Sequence, residues 1–379
     1  MVVAGTAARG PASRIDAYLR ALLAEITLRA AAADRDIGLD RPPLRSVYLG
    51  GGTPTLLPPA AIAGILELVA DRFGVAPDAE ITIEANPGRD ERGDALALAA
   101  AGVNRLSLGA QAFDGERLRR LGRRHRPEDV GDAVAAARAA GFRSVSVDLL
   151  YDAPGQTEGE WAAALDEAVA LGVDHVSAYA LTLDDPDAEG LTGLDGDHLP
   201  TTAGARRWRE RARRDQDEDR AAAMYRLAVD RLGAAGFRGY EISNWARPGH
   251  ESRHNLVYWR REPYEAVGPG AHAFDGRTRR WNAARLDRYL AALAPVSGPP
   301  ALPPGGSERL DAAVAAVESV ILALRLDSGL GEREAVSGPL GPHLAWALDR
   351  GLLERVPGAR VRLTTDGRLL SNEVFARIV

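Results

Sequence analysis

The chain has 379 residues, 46% hydrophobic and 26% charged, with a formal net charge of −6 and no cysteine. That length allows one large domain plus a smaller one around a substantial core. The composition excludes a disulfide scaffold, a thiolate nucleophile or a Cys-ligated metal within these residues. All 47 basic residues are arginine, yet the negative balance argues against non-specific nucleic-acid binding. No apolar run reaches the roughly 18–20 uncharged residues of a membrane span. Met1 to Arg14 lacks the pattern of a secretion signal, which predicts a cytoplasmic protein.

Ile15, Tyr18, Leu19, Leu22, Leu23 and Ile26 recur at helical spacing and predict a helix to Ala33. Arg45–Leu49 reads as a buried strand running into Gly50-Gly-Gly-Thr-Pro54, and a helix over Ala60–Phe73 follows. The unit then repeats. Strands are predicted at Glu80–Glu84, Arg105–Leu108, Ser144–Asp148 and His175–Tyr179, each running into a polar or glycine-containing turn. Short apolar strands alternating with helices indicate parallel βαβ units, whose functional groups gather past the strands' C-terminal ends. The fold class is therefore α/β, an incomplete parallel (β/α) barrel over residues 12–295.

Asp184–Asp219 is charged and poor in aliphatics and reads as a surface excursion, with its Arg206–Arg214 cluster as a solvated face. Met224–Ala235 predicts a helix and Tyr240–Ser243 a short strand. Ala294–Gly306, rich in Pro and Gly, reads as a linker. Helices at Leu310–Leu324 and Leu340–Arg350, then the strand pair Leu353–Val356 and Arg360–Leu363, suggest a small winged-helix-like domain over 306–379.

Taken alone, Gly50-Gly-Gly-Thr-Pro54 fits either a tight turn or a close backbone approach to a ligand. Its context is more specific. Tyr48-Leu-Gly-Gly-Gly-Thr-Pro54, Glu84-Ala-Asn-Pro-Gly88, Gly102–Gly109 with Gln111 and Phe113, Leu121-Gly-Arg-Arg-His125, and Asp148–Tyr151 with Pro154-Gly-Gln-Thr157 occur in order. Together they resemble the barrel of radical S-adenosylmethionine (SAM) proteins of the oxygen-independent coproporphyrinogen III oxidase-like family. The resemblance runs from about Ile15 to the C-terminus. It implies that Gly51, Gly52 and Thr53 line the SAM methionyl group, that Glu84, Gln111, Arg123 and Asp148 contact its amino, carboxylate or ribose groups, and that His272 faces the same site. Acidic side chains suit a cation and hydroxyls, and arginine suits a carboxylate. Read singly, Glu84 or Asp148 serves equally as a helix cap or a salt-bridge partner. Asp152-Ala153 departs from the family's Gly-Leu.

A second block, Tyr240–Gly249, His254-Asn-Leu-Val-Tyr-Trp259 and Gly268-Pro-Gly-Ala-His272, resembles the family's heme-chaperone branch rather than the true oxidase. The resemblance implies heme as cargo, an unidentified heme-acceptor protein as partner, and His254, Tyr258 and Trp259 as heme-contacting residues. A histidine can ligate heme iron and aromatic rings can pack on a porphyrin, but the same three residues also fit a hydrogen-bonded, inert packing role.

The resemblance further implies a 4Fe-4S cluster on a Cys-x3-Cys-x2-Cys loop, which these residues lack. A start codon placed downstream of the true one and a cluster-less member of the family both fit. Coproporphyrinogen decarboxylation and a SAM- or heme-binding module without catalysis remain the alternative functions. No radical chemistry is expected from the chain as written.

Overall fold

Side-chain alternation along the strands decides what the sheet presents. The computed structural model describes residues 12–36, 38, 41–183, 202–293, 298–337 and 339–379. In chain order the elements that matter are α1 (Ala12–Asp36), β1 (Leu44–Leu49), α2 (Pro59–Phe73), β2 (Val75–Ala85), β3 (Arg105–Gln111), β4 (Ser144–Tyr151) and β5 (His175–Ala180). There follow α3 (Ala203–Asp215), β6 (Arg238–Gly239), β7 (Asn244–Ala246), α4 (Arg253–Trp259), β8 (His272–Phe274), β9 (Thr278–Asn282), α5 (Leu286–Leu293) and β10 (Gly305–Arg309). The chain ends with α6 (Ala312–Arg325), β11 (Leu330–Gly331), α7 (Gly341–Asp349), β12 (Leu353–Val356), β13 (Arg360–Leu363) and two short helices.

The chain forms two compact units. One comprises Met1–Asp148, Thr182–Arg214 and Tyr264–Glu308; the other comprises Leu149–Leu181, Asp215–Pro263 and Arg309–Val379. The main sheet has the strand order β1-β2-β3-β4-β5-β7-β6. β1–β2 and β2–β3 pair in parallel. β7 runs antiparallel to both β5 and β6.

In the first unit, Ile83 and Ala85 of β2, Leu106 and Leu108 of β3, and Val145 and Val147 of β4 are buried apolar positions. Between them stand Thr82, Glu84, Arg105, Ser107, Ser144, Ser146 and Asp148. Successive side chains point to opposite faces, so one face of the sheet is apolar and the other polar. The register sets Glu84 beside Ser107. On the polar face Arg105 Nη1 donates to Ser144 Oγ at 2.9 Å. The helical periodicity of α1 lays Leu22 and Ile26 on Ile65 of α2, and Ala21 on Tyr289 and Leu293 of α5.

In the second unit, the C-terminal helices enclose Val320, Leu324, Leu344, Val361 and Leu363 beside the antiparallel sheet β11-β13-β12. The expected two helices and strand pair are present in that order, with β11 and a short helix, Glu332–Ser337, between the two helices. Asp152, in the family-departing dipeptide, is buried with φ 54°. Its Oδ1 accepts from Arg220 Nε at 2.7 Å. Asp tolerates the left-handed region better than most residues, and the half-buried Arg220 gives its carboxylate a partner.

Three expectations change. Tyr240–Ser243 is the turn between β6 and β7 rather than a strand, because Glu241 Oε1 accepts from Ser243 N at 2.9 Å and closes it. Part of the expected surface excursion is the helix α3, which buries Arg209 and Ala212; residues 184–201 lie outside the described residues. Gly305–Arg309, at the end of the expected linker, pairs as β10 with β9. There Gly305 and Gly306 lie so close to Trp281 that a Cβ on either would collide with it. Residues 294–297 lie outside the described residues.

Candidate functional site

The loop after β1 is shaped by a carboxylate from β2. Glu84 Oε1 accepts from Tyr48 Oη at 2.7 Å, and Oε2 accepts from Gly51 N at 3.0 Å. Gly51 and Gly52 have φ of 82° and 102°, backbone that side chains resist. A Cβ at Gly50 would strike Tyr48 and Glu84, whereas one at Gly51 would enter open space. The loop therefore packs tightly behind and leaves a cradle in front.

A chain of polar contacts extends from this loop. Asn86 Nδ2 donates to Thr53 Oγ1 at 3.0 Å, and Arg123 Nη1 donates to Asn86 Oδ1 at 3.3 Å. Gln111 has φ 66°, and its amide crowds the position a Cβ would take on Gly109, with Asn86 Oδ1 in ordinary contact beside it. Ser107 Oγ donates to Asp148 Oδ1 at 3.3 Å. Burial lowers the pKa of Arg123, and the Glu91 and Asp148 carboxylates act against that fall. Gly51, Thr53, Glu84, Gln111, Arg123 and Asp148 thus gather at the C-terminal ends of β1–β4. The group offers two carboxylates, a guanidinium, amides and open backbone, a set suited to a ligand that carries both charges and hydroxyls. Tyr48 and Asn86 complete it. Both stand inside the motifs read from the sequence, where no role was given to them.

His272 is placed on β8, exposed, with its ring stacked on Trp281 at 6.0 Å between centroids. The turn before it is held by a residue the sequence reading passed over, Glu25 of α1. This carboxylate is fully buried. It accepts from Gly268 N at 2.8 Å, Tyr289 Oη at 2.8 Å, Asn282 Nδ2 at 2.7 Å and Arg29 Nε at 3.3 Å. Arg29 Nη2 also donates to Asn282 Oδ1 at 2.9 Å. Burial, then the Glu25 charge, raise the pKa of Tyr289 and keep its hydroxyl a donor. The available signal was an acid three residues after Leu22 and four after Ala21, on the helix's apolar face.

In the second unit the three aromatic motif residues lie on α4. His254 and Tyr258, four residues apart, share a face. Their rings meet edge-on at 5.0 Å, and His254 Nε2 is 2.7 Å from Tyr258 Oη. Burial lowers the His254 pKa to about 4, so the imidazole is neutral at physiological pH. Trp259 projects about 100° further round the helix and carries Arg325 of α6 over its ring at 4.5 Å. The motif therefore divides: a histidine–tyrosine pair on one face, and a tryptophan against the C-terminal helices on another. Among the described residues no group of three His, Asp or Glu could hold a metal ion, and no helix is long and apolar enough to cross a membrane.

Residues 25–168 match the Radical SAM superfamily. The fold is shared with coproporphyrinogen III oxidase (HemN) from Escherichia coli, with a TM-score of 0.75 over 97% of this chain and 84% of that one, at 24% identity. The chain is thus an α/β radical-SAM-type protein with an incomplete parallel barrel and a small C-terminal domain. It is also 40% identical over 371 residues to the heme chaperone HemW of Mycobacterium tuberculosis, spanning 96% of this chain and 86% of that protein. To HemW of Bacillus subtilis it is 30% identical over 370 residues, 95% of this chain and 90% of that one. The chain belongs to the HemW heme-chaperone family.

Proposed function

We propose that this chain carries heme for delivery to an acceptor protein in the cytoplasm and binds SAM in its barrel. The barrel region, 12–295, does the binding, and the winged-helix-like region, 306–379, supports it. The observation that carries the heme reading is the His254–Tyr258 pair on α4, in a chain so similar to heme chaperones along nearly its full length. A neutral imidazole has a lone pair to offer iron without first losing a proton. The strand-end group fits SAM: Glu84 and Asp148 suit its ammonium and ribose hydroxyls, Arg123 its carboxylate, and the open side of Gly51 its methionyl chain. Bound there, SAM would supply a sulfonium-activated carbon. Glu84 and Arg123 would orient the ligand's two charged ends. A 4Fe-4S cluster does not fit these 379 residues, which contain no thiolate.

The geometry of the pair makes a specific demand. With the imidazole proton on Nδ1, Tyr258 Oη donates to Nε2, the nitrogen that would otherwise face iron. Ligation then costs that hydrogen bond, about 1 kcal/mol. Tyr258→Phe is therefore expected to tighten ferric-heme binding about fivefold and to sharpen the low-spin Soret band. Because His254 protonates only near pH 4, affinity should stay level from about pH 8 down to about pH 5.5. An ordinary imidazole would lose its ligand role on falling through about pH 6.5. Hemin titrations of wild type and Tyr258→Phe across that range decide the point. Unchanged affinity in the variant, or a break near pH 6.5 in either protein, would remove His254 Nε2 from the site.

A further inference from the structure

The end of α4 is closed in an unusual way. Arg261 N donates to Tyr258 O at 3.0 Å and Glu262 N to Val257 O at 2.9 Å, the paired bonds of a Schellman cap. The residue between them normally is glycine, because it must adopt positive φ. Here it is Arg261, at φ 55°. Its side chain explains the choice: Arg261 Nε donates to Glu318 Oε2 at 2.9 Å, with both side chains largely buried. Glu318 and Arg325 stand seven residues apart on α6, two turns along one face. Arg325 lies over the Trp259 ring at 4.5 Å. Trp259 Nε1 and Arg325 Nε are buried and have no hydrogen-bond partner among the described residues, so stacking rather than hydrogen bonding holds that contact.

We infer that α6 of the C-terminal domain clamps α4 at these two points, and that Arg261, Glu318, Arg325 and Trp259 are positioning residues for the His254–Tyr258 face. The heme consequence rests on the function proposed above; the clamp itself does not. A backbone conformation that favours glycine is occupied by an arginine whose side chain donates to Glu318. On the same α6 face a second arginine meets the next available ring. Neither contact involves His254 or Tyr258, so the clamp fixes the helix without occupying the face proposed for heme.

Arg261→Gly separates positioning from stability, because glycine suits the cap better while removing the tether. The expected result is a melting temperature close to wild type, glycine's gain at the cap being offset by a largely buried Glu318 that loses this partner, together with at least fivefold faster amide hydrogen exchange across residues 253–259 in the heme-free protein. Hemin affinity should fall about fivefold. Arg325→Met, which keeps bulk but not charge, should act in the same direction. The swap Arg261→Glu with Glu318→Arg should recover most of the exchange protection. Wild-type exchange in both Arg261→Gly and Arg325→Met would overturn the clamp. Faster exchange with wild-type hemin affinity would overturn its role in positioning the heme face. If the wild-type chain takes up no hemin, the heme reading falls, and the exchange measurements still decide the clamp.

Discussion

Glu25→Ala is expected to lower unfolding free energy by about 3–5 kcal/mol, the cost of breaking a buried ionic hydrogen-bonded group from one side. The carboxylate is fully buried and holds four donors from four places in the sequence. Its removal leaves Gly268 N–H, the Asn282 amide and the Tyr289 hydroxyl without their acceptor, and Arg29 without its countercharge. Glu25→Gln restores one acceptor oxygen but points an amide N–H₂ at groups that are themselves donors, so it should recover less than half of the loss. Tyr289→Phe removes one donor only and should cost about 1 kcal/mol. Urea unfolding of the three variants tests the order Ala, then Gln, then Phe. A Glu25→Ala midpoint within experimental error of wild type would show that the network contributes nothing net.

Glu84→Ala should behave in the opposite manner, though it removes the same chemical group. Glu84 is only partly buried, and the groups it accepts from, Gly51 N–H and the Tyr48 hydroxyl, lie near solvent that can replace it. Stability should fall by about 1 kcal/mol or less. Ligand binding should suffer far more. A carboxylate that both shapes the glycine loop and faces an ammonium contributes about 2 kcal/mol through charge-assisted hydrogen bonding, or about thirtyfold in affinity. Calorimetric titration of SAM into wild type and Glu84→Ala reads this directly. SAM binding of equal strength to both proteins would move the ligand away from the strand-end group.

The contrast between these two glutamates also marks what the sequence could reveal. Glu84 sits in a motif at a strand end, and the alternation of β2, β3 and β4 places it on the polar face with Ser107 and Asp148. Its place at a strand end was legible because strand periodicity is strict; its expected role came from the family resemblance alone. Glu25 carries no motif. It interrupts the apolar stripe of α1, and its partners come from α5, β9 and the Gly268 turn, which only the tertiary fold brings near. The same limit hid the turn at Tyr240–Ser243, where the buried Glu241 side chain outweighs a strand-like sequence. In α3, six arginines among thirteen residues masked the two positions, Arg209 and Ala212, that the helix buries. At α4 the motif read as one aromatic group, whereas helical geometry turns Trp259 away from His254 and Tyr258. Neither the helix that carries these residues nor the place of Arg325 over one of its rings is among the elements the sequence predicts.

Heme uptake at the His254 face of α4 is open to direct measurement. The experiment is a ferric-heme titration of the purified chain and of His254→Ala, followed in the Soret region. The expected result is saturation at one heme per wild-type chain with a shifted, sharpened Soret band. In His254→Ala that shift should be lost while weaker, less ordered uptake persists, because the porphyrin face still gains from apolar burial. Uptake that never saturates, or identical spectra and stoichiometry in the two proteins, would contradict it.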